Sequence, residues 1–137
     1  MATLLEIHTT GPGLYEFTDR LRGLAHGSGV ITLFVQHTSC SLLIQENADP
    51  DVQRDLNAFF TRLVPPADDP AMGYLTHVLE GPDDMPAHIK AAFLPVSLTI
   101  PVEQGRLLLG TWQGVYLFEH RTRPHRRTCA VQMMTKD

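Results

Sequence analysis

From Val96 onward the chain reads as strand after strand: Val96–Val102, Arg106–Gly110, Gln113–Phe118 and Arg127–Met133. These runs are rich in β-branched, aliphatic and aromatic residues. Between them stand Glu103-Gln104-Gly105 and Arg123-Pro124-His125, both with the turn chemistry of hairpins. A second half of this kind demands antiparallel sheet. The first half adds strands at Leu4–His8, closed by Gly11-Pro12-Gly13, at Val30–Val35, and at Ser41–Ile44 after a break at His37-Thr38-Ser39. Helices are interleaved with them. Thr18 has the chemistry of an N-cap, with Asp19 in the first turn, apolar Leu21 and Leu24, and a stop at Gly27. Asp49 caps a stronger one, with Pro50 at N1, Asp51 beside the positive dipole end, and Val52, Leu56, Phe59, Phe60 and Leu63 on one face before Val64-Pro65-Pro66. A third is expected over Pro86–Phe93 with Pro86 at N1. The stretch Ala67–Pro86 is irregular, with a short strand expected at Tyr74–Val78. The pattern predicts an α+β fold in one domain, residues 1–137: mainly antiparallel sheet or sandwich, with two or three covering helices.

A length of 137 residues fits one such domain and no (β/α)8 barrel. The net charge of −4 argues against a general nucleic-acid binder. The one basic stretch, His120 to Arg127, reads as a solvated turn between strands. Cys40 and Cys129 form no CxxC pair and are expected as buried free thiols. No leader-like segment and no apolar window of about 18 residues is present, so a cytoplasmic protein without membrane contact is expected. GxSxG, GxxxxGK[ST] and GxGxxG are all missing, and no nucleotide cofactor is expected.

Three groups of polar residues could carry chemistry. His37 and Glu46 end successive apolar strands and, if those strands paired as an antiparallel hairpin, would project from regions that need not be far apart. A histidine in that position suits metal ligation or proton transfer, or a purely structural hydrogen bond. His77-x-x-Glu80 with His88 gathers imidazoles and carboxylates in a loop. Its spacing is not HExxH, and it leaves zinc and magnesium both open. Asp83 and Asp84 are expected at the solvated surface. In Gly110-Thr111-Trp112-Gln113-Gly114, the tryptophan suits stacking on a ligand, a core position or a subunit interface. Glu119 ends its strand as Glu46 does. Each of these side chains ends or interrupts an apolar segment. The expectation is therefore that His37, Glu46, His77, Glu80 and His88 meet in one cleft.

Taken together, Leu33–Leu42, Gln45–Val52, Glu80–Lys90, Gly105-Arg106, Gly110–Gly114 and Glu119-His120 resemble the YjbQ family, from about Thr3 to Gln132. That family is known as the secondary thiamine-phosphate synthases. The resemblance implies a small α+β fold, a homotrimer, and polar residues clustered near subunit boundaries. The family's recurrent polar positions fall on His37, Thr38, Glu46, Asn47, Asp49, His77, Glu80, His88, Lys90, Gln113 and Glu119. In a synthase joining an aminopyrimidine methyl diphosphate to a thiazole phosphate, the catalytic set would be His37, Glu46, His77, Glu80, His88 and Glu119. Thr38, Asn47, Lys90, Arg106 and Gln113 would hold substrate or phosphate, and Glu46, Glu80 and Asp84 would hold Mg²⁺. The alternative is a trimeric metal- or metabolite-binding protein in which His37, His77 and His88 hold zinc or another transition metal, since imidazole suits those ions better than magnesium.

Overall fold

A computed structural model describes residues 1–136. Strands β1 (Thr3–Thr9), β3 (Gly29–Val35), β5 (Ser97–Glu103), β6 (Arg106–Leu107) and β8 (His125–Thr135) form a five-stranded sheet in the order β1-β8-β3-β5-β6. Strands β2 (Gly13–Glu16), β4 (Cys40–Glu46) and β7 (Gln113–Glu119) form a second sheet in the order β2-β7-β4. All pairings are antiparallel. The α+β sandwich expected from the sequence is the observed architecture.

The five-stranded sheet shows the alternation of a sheet wet on one side. Leu5 and Ile7, Ile31, Leu33 and Val35, Ile100 and Val102, and Cys129 and Val131 face inward, while their neighbours face out. Strand β7 is different, because every residue from Gly114 to Glu119 is buried. Val115 and Leu117 enter the core shared with the first sheet. Phe118 points the other way and meets Phe60 at 5.7 Å between ring centroids. The second sheet is thus the middle layer, with helices α2 (Pro50–Leu63) and α3 (Asp84–Phe93) on its outer side. Cys40 and Cys129 are both buried free thiols, held by burial at about 12 and about 11.

Local chemistry sets several boundaries. Asp49 caps α2 as its sequence predicts, its carboxylate accepting from the Asp51 N–H at 2.9 Å. Gln104 and Gly105 both adopt positive φ, at 48° and 77°, in the two-residue turn that pairs Glu103 with Arg106. Five expectations are corrected. Helix α1 runs only over Thr18–Arg22 with Phe17 at the N-cap, because the Thr18 hydroxyl is turned inward to accept from the Val115 N–H. Tyr74–Val78 forms no strand; a single 3-10 turn at Pro70–Met72 is the only regular element of that loop among the described residues. Strand β6 ends at Leu107, and α3 begins at Asp84, so Pro86 is its third residue, still within the first turn. Strand β2 has no counterpart in the sequence reading.

The fifth correction matters most for the site. Strands β3 and β4 do not pair, and neither do β7 and β8: each is split between the two sheets. Residues 36–39 and 120–124 are therefore crossings from sheet to sheet. Backbone groups in such crossings have no ladder partner, so they are free to bind side chains. Both crossings lie against the start of α3.

Candidate metal centre

Helix α3 brings Asp84 and His88 onto one face by their i, i+4 spacing. The irregular loop ahead of it adds His77. His77 Nε2 stands 2.8 Å from Asp84 Oδ2 and 2.9 Å from Glu80 Oε2, and His88 Nε2 stands 3.2 Å from Asp84 Oδ2. One ligand atom from each of His77, Asp84 and His88 lies within 4.8 Å of the others. The carboxylate is buried, with its side chain 5% exposed, whereas the His77 side chain is 50% exposed. The group is anchored at its back and open at its front.

The orientation of His88 is fixed by the first crossing. Its Nδ1–H donates to the Thr38 carbonyl oxygen at 2.8 Å. A carbonyl only accepts, so Nδ1 carries a proton whatever the charge of the ring, and Nε2 faces a carboxylate oxygen. The contact is attractive only with a proton or a cation between the two atoms. A backbone carbonyl fixing one ring nitrogen so that the other is offered outward is the usual outer support of a metal-bound histidine.

The second crossing supplies Arg121, whose side chain is 12% exposed. Its Nη1 lies 2.8 Å from Asp84 Oδ1, its Nε donates to Asp83 Oδ2 at 2.8 Å, and its Nη2 donates to the Glu80 carbonyl at 3.3 Å. Burial works to raise Asp84, but the hydrogen bond from His77 and the charges of His88 and Arg121 outweigh it, leaving it below its ordinary value. Burial works to raise Asp83 also, and its hydrogen bonds from Arg121 and Thr122 hold it at about 2. Neither aspartate is solvated surface, and the basic segment is a solvated turn only in part: Thr122–Pro124 and Arg126 are exposed, but His120, Arg121 and Arg127 are drawn inward.

Of the five side chains expected to meet, the structure unites His77, Glu80 and His88. His37 stands apart from them. Its Nε2 accepts from the Thr128 N–H at 2.8 Å, so the nitrogen that could bind a metal is already occupied, and burial followed by the Arg127 charge lowers its pKa. Glu46 closes the far end of β4, about 20 Å of strand from Thr38. There Glu46 Oε2 accepts from the Asp49 N–H at 3.0 Å. Asn47 and Gln113 share that far end: Asn47 Nδ2 donates to Glu16 at 3.3 Å, and Gln113 Oε1 accepts from the Gly110 N–H at 2.7 Å. Arg106 is exposed on the edge strand β6. Thr38 contributes its carbonyl and not its hydroxyl. Trp112 is 64% exposed and is no core residue of the protomer.

Glu119 is fully buried between the sheets. Its Oε1 accepts from Thr9 Oγ1 at 2.6 Å and Arg127 Nε at 2.8 Å, and its Oε2 accepts from Arg127 Nη2 and from the N–H groups of His120 and Arg121, each at 3.1 Å. Burial works to raise Glu119, and these bonds lower it below its ordinary range. No acceptor capacity is left for substrate. Its role toward the site is indirect, because the bond to the Arg121 N–H pins the crossing that delivers Arg121. The sequence reading missed Arg121 as a site residue, and offered Asp84 only as a magnesium ligand beside Glu46 and Glu80, otherwise expecting it at the solvated surface. The i, i+4 pair Asp84/His88 was the available signal, hidden by starting the helix at Pro86.

Comparisons with known proteins agree with this architecture. The profile described as "UPF0047 protein YjbQ-like" matches residues 3–136. The UPF0047 protein sll1880 of Synechocystis is 50% identical over 134 residues, covering 95% of this chain and 88% of that protein. The UPF0047 protein YugU of Bacillus subtilis is 38% identical over 107 residues, covering 78% and 75%. Among solved structures, the conserved hypothetical protein TT1486 from Thermus thermophilus superposes with a TM-score of 0.84 at 35% identity, covering 96% of this chain and 99% of that one. A YjbQ/UPF0047 protein from Clostridium acetobutylicum gives 0.84 at 30% identity, with the same coverage.

Proposed function

We propose that this chain, which belongs to the UPF0047 YjbQ-like family, binds a divalent transition metal through His77 Nε2, Asp84 Oδ2 and His88 Nε2. The open position would carry water or a small anionic metabolite. The observation that supports this best is His88 Nε2, held 3.2 Å from Asp84 Oδ2 by the bond of its Nδ1 to the Thr38 carbonyl. Two imidazoles and one carboxylate are a donor set that suits zinc or iron, and three protein ligands leave the fourth position that a catalytic centre uses. Glu80, 65% exposed and 2.9 Å from His77 Nε2, is placed to take a proton from a metal-bound water.

Metal analysis of protein purified without a histidine tag tests this directly. About one equivalent of zinc or iron is expected in the wild type, with little retained in His88→Ala and Asp84→Asn at unchanged fold. Affinity should fall in acid, because imidazole binds metal only after losing its proton. Full metal content in both variants would remove the reading. The competing reading is the thiamine-phosphate synthase-type transferase. Formation of thiamine phosphate from the two phosphorylated rings, dependent on magnesium and indifferent to Asp84→Asn, would favour it.

The assembly we propose is a homotrimer. Its support is a stripe on α2 left uncovered in the protomer: Phe59 is 58% and Leu63 54% exposed, beside Ala58 and Arg62 around a groove of about 490 Å³. Such a stripe at helical spacing suits a second copy of the chain. Sedimentation should show a trimer at micromolar concentration, and Phe59→Asp should shift it to monomer.

A further inference from the structure

Helix α3 has a second loaded face. Asp84 and His88 point into the metal centre, but Asp83, Pro86 and Lys90, spaced i, i+3 and i+7, line a different cavity of about 70 Å³. Its other walls are His120 and Thr122 from the second crossing, Pro12, and Thr61, Val64 and Pro66 at the end of α2. Two polar side chains facing it are more than nine-tenths buried: Lys90 at 7% exposure and His120 at 3%. Neither is satisfied. Lys90 makes no hydrogen bond or ion pair with any described residue, and burial alone shapes its environment. His120 Nε2 is 2.8 Å from Ser41 Oγ, while its Nδ1 is buried with no partner.

The Lys90 stem is packed away while its ammonium keeps a residual opening to water and meets no counter-charge, and the His120 Nδ1 beside it is sealed from solvent with no partner, an arrangement that is costly to hold. The one carboxylate lining the cavity does not relieve it. Asp83 Oδ2 already accepts from Arg121 Nε at 2.8 Å, the Thr122 N–H at 2.9 Å and Thr122 Oγ1 at 3.1 Å. The volume has room for about two waters. Water would hydrogen-bond both groups but leave the charge uncompensated. Oxygens of an anion would do both, accepting from Lys90 Nζ and from the Nδ1–H of a neutral His120 whose Nε2 accepts from Ser41. Exposed Pro12, Thr61, Pro66 and Thr122 form the rim, so the rest of a ligand could extend into solvent.

We propose that the Lys90–His120 cavity is a phosphoryl-binding site, separate from the metal centre, on the opposite side of α3. The ligand is inorganic phosphate or the phosphate group of a small phosphomonoester. This inference does not depend on the metal reading, since neither Lys90 nor His120 faces His77, Asp84 or His88.

The test is calorimetric titration of the wild-type protein with inorganic phosphate and, separately, with glycerol 3-phosphate. Tighter binding of the second would identify a phosphomonoester site, and equal binding a site for free phosphate. Lys90→Met should weaken binding by about tenfold or more, the usual loss for a charge-assisted hydrogen bond. His88→Ala should bind phosphate as the wild type does, which separates this cavity from anion binding at a metal. Should Lys90→Met fold poorly, ¹⁵N signals of the Lys90 ammonium and the His120 ring in the wild-type protein give the same answer, shifting together as phosphate saturates. Equal phosphate affinity in wild type and folded Lys90→Met, or signals unmoved at saturation, would show that the cavity holds only bridging water and overturn the proposal.

Discussion

Asp84 and Glu119 are both buried carboxylates gripped by an arginine near a sheet crossing, yet they are built for opposite ends. Glu119 receives five hydrogen bonds, two from Arg127 and one each from Thr9 Oγ1 and the N–H groups of His120 and Arg121, and none of it reaches solvent. Asp84 gives one oxygen to Arg121 and turns the other toward two imidazoles whose far sides are open. A carboxylate saturated by donors inside the protein is architecture. One that shares an oxygen with two outward-facing nitrogens suits the ligand role proposed for Asp84. Arginine proximity alone does not tell them apart; what occupies the second oxygen does.

The largest effect that could break this comparison is on stability. Glu119→Gln keeps the shape but leaves the Arg127 guanidinium, whose side chain is 4% exposed, without a counter-charge. Breaking one side of a buried pair costs about 3–5 kcal/mol. Urea unfolding should show a loss of that size, with metal content per folded molecule unchanged. Asp84→Asn should do the reverse, losing metal with a smaller change in stability. A Glu119→Gln protein that is as stable as wild type but empty of metal would invert the assignment.

Asp83 sharpens the comparison at intermediate size, because it joins the two regions through Arg121. Its carboxyl is held at about 2 against an ordinary value near 3.9. The folded form therefore binds its proton less readily than the unfolded chain does. The resulting stability is fully present above about pH 4 and disappears as pH falls through about 2. A shift of this size is worth about 2–3 kcal/mol unscreened, and water at the rim of the pair reduces it to about 1–2 kcal/mol. Asp83→Asn should lie below wild type by that amount at pH 7, with the two acid-unfolding curves converging near pH 2. A constant gap across the whole range would mean that Asp83 acts through packing and not through its charge.

Much of this architecture was legible from residue patterns, and the places where it was not share one cause. Asp49-Pro50 announced α2 because a cap acts through neighbouring backbone, and Gln104-Gly105 announced its turn for the same reason. The pairs β3/β4 and β7/β8 looked like hairpins because their connections have hairpin lengths, and adjacent strands usually do pair. Nothing local in Gln36–Ser39 or His120–Pro124 records that the chain changes sheet there. That misreading hid Arg121, whereas grouping His37 with Glu46 was an error of direction, since even a hairpin leaves the ends of its two strands at opposite ends. Glu119 and Glu46 end strands alike, and only the position of Arg127 across the sandwich decides that Glu119 turns inward. His77, Glu80 and His88 were found because their chemistry is concentrated within one loop and the helix after it.

The smallest effect concerns Asp49, which the family resemblance groups with the site residues. In the structure it lies with Glu46 and Asn47 at the far end of β4. Its carboxylate accepts from the Asp51 N–H at 2.9 Å, while its own N–H donates to Glu46 Oε2 at 3.0 Å. This is a reciprocal cap: Asp49 satisfies a free donor of α2, and Glu46 satisfies the donor of the cap residue itself. Helix α2 depends on it, since no residue of the helix is fully buried within the protomer. Asp49→Ala should cost about 1 kcal/mol, as N-cap removals do, and Asp49→Ser should recover most of it because the hydroxyl also accepts from the helix N–H. Metal content and phosphate affinity should be unchanged in both, since the side chains of Asp49 and Glu46 bond the start of α2 and not α3. Recovery of stability by serine without recovery of ligand binding would instead place Asp49 in the functional machinery and make the two ends of β4 one site.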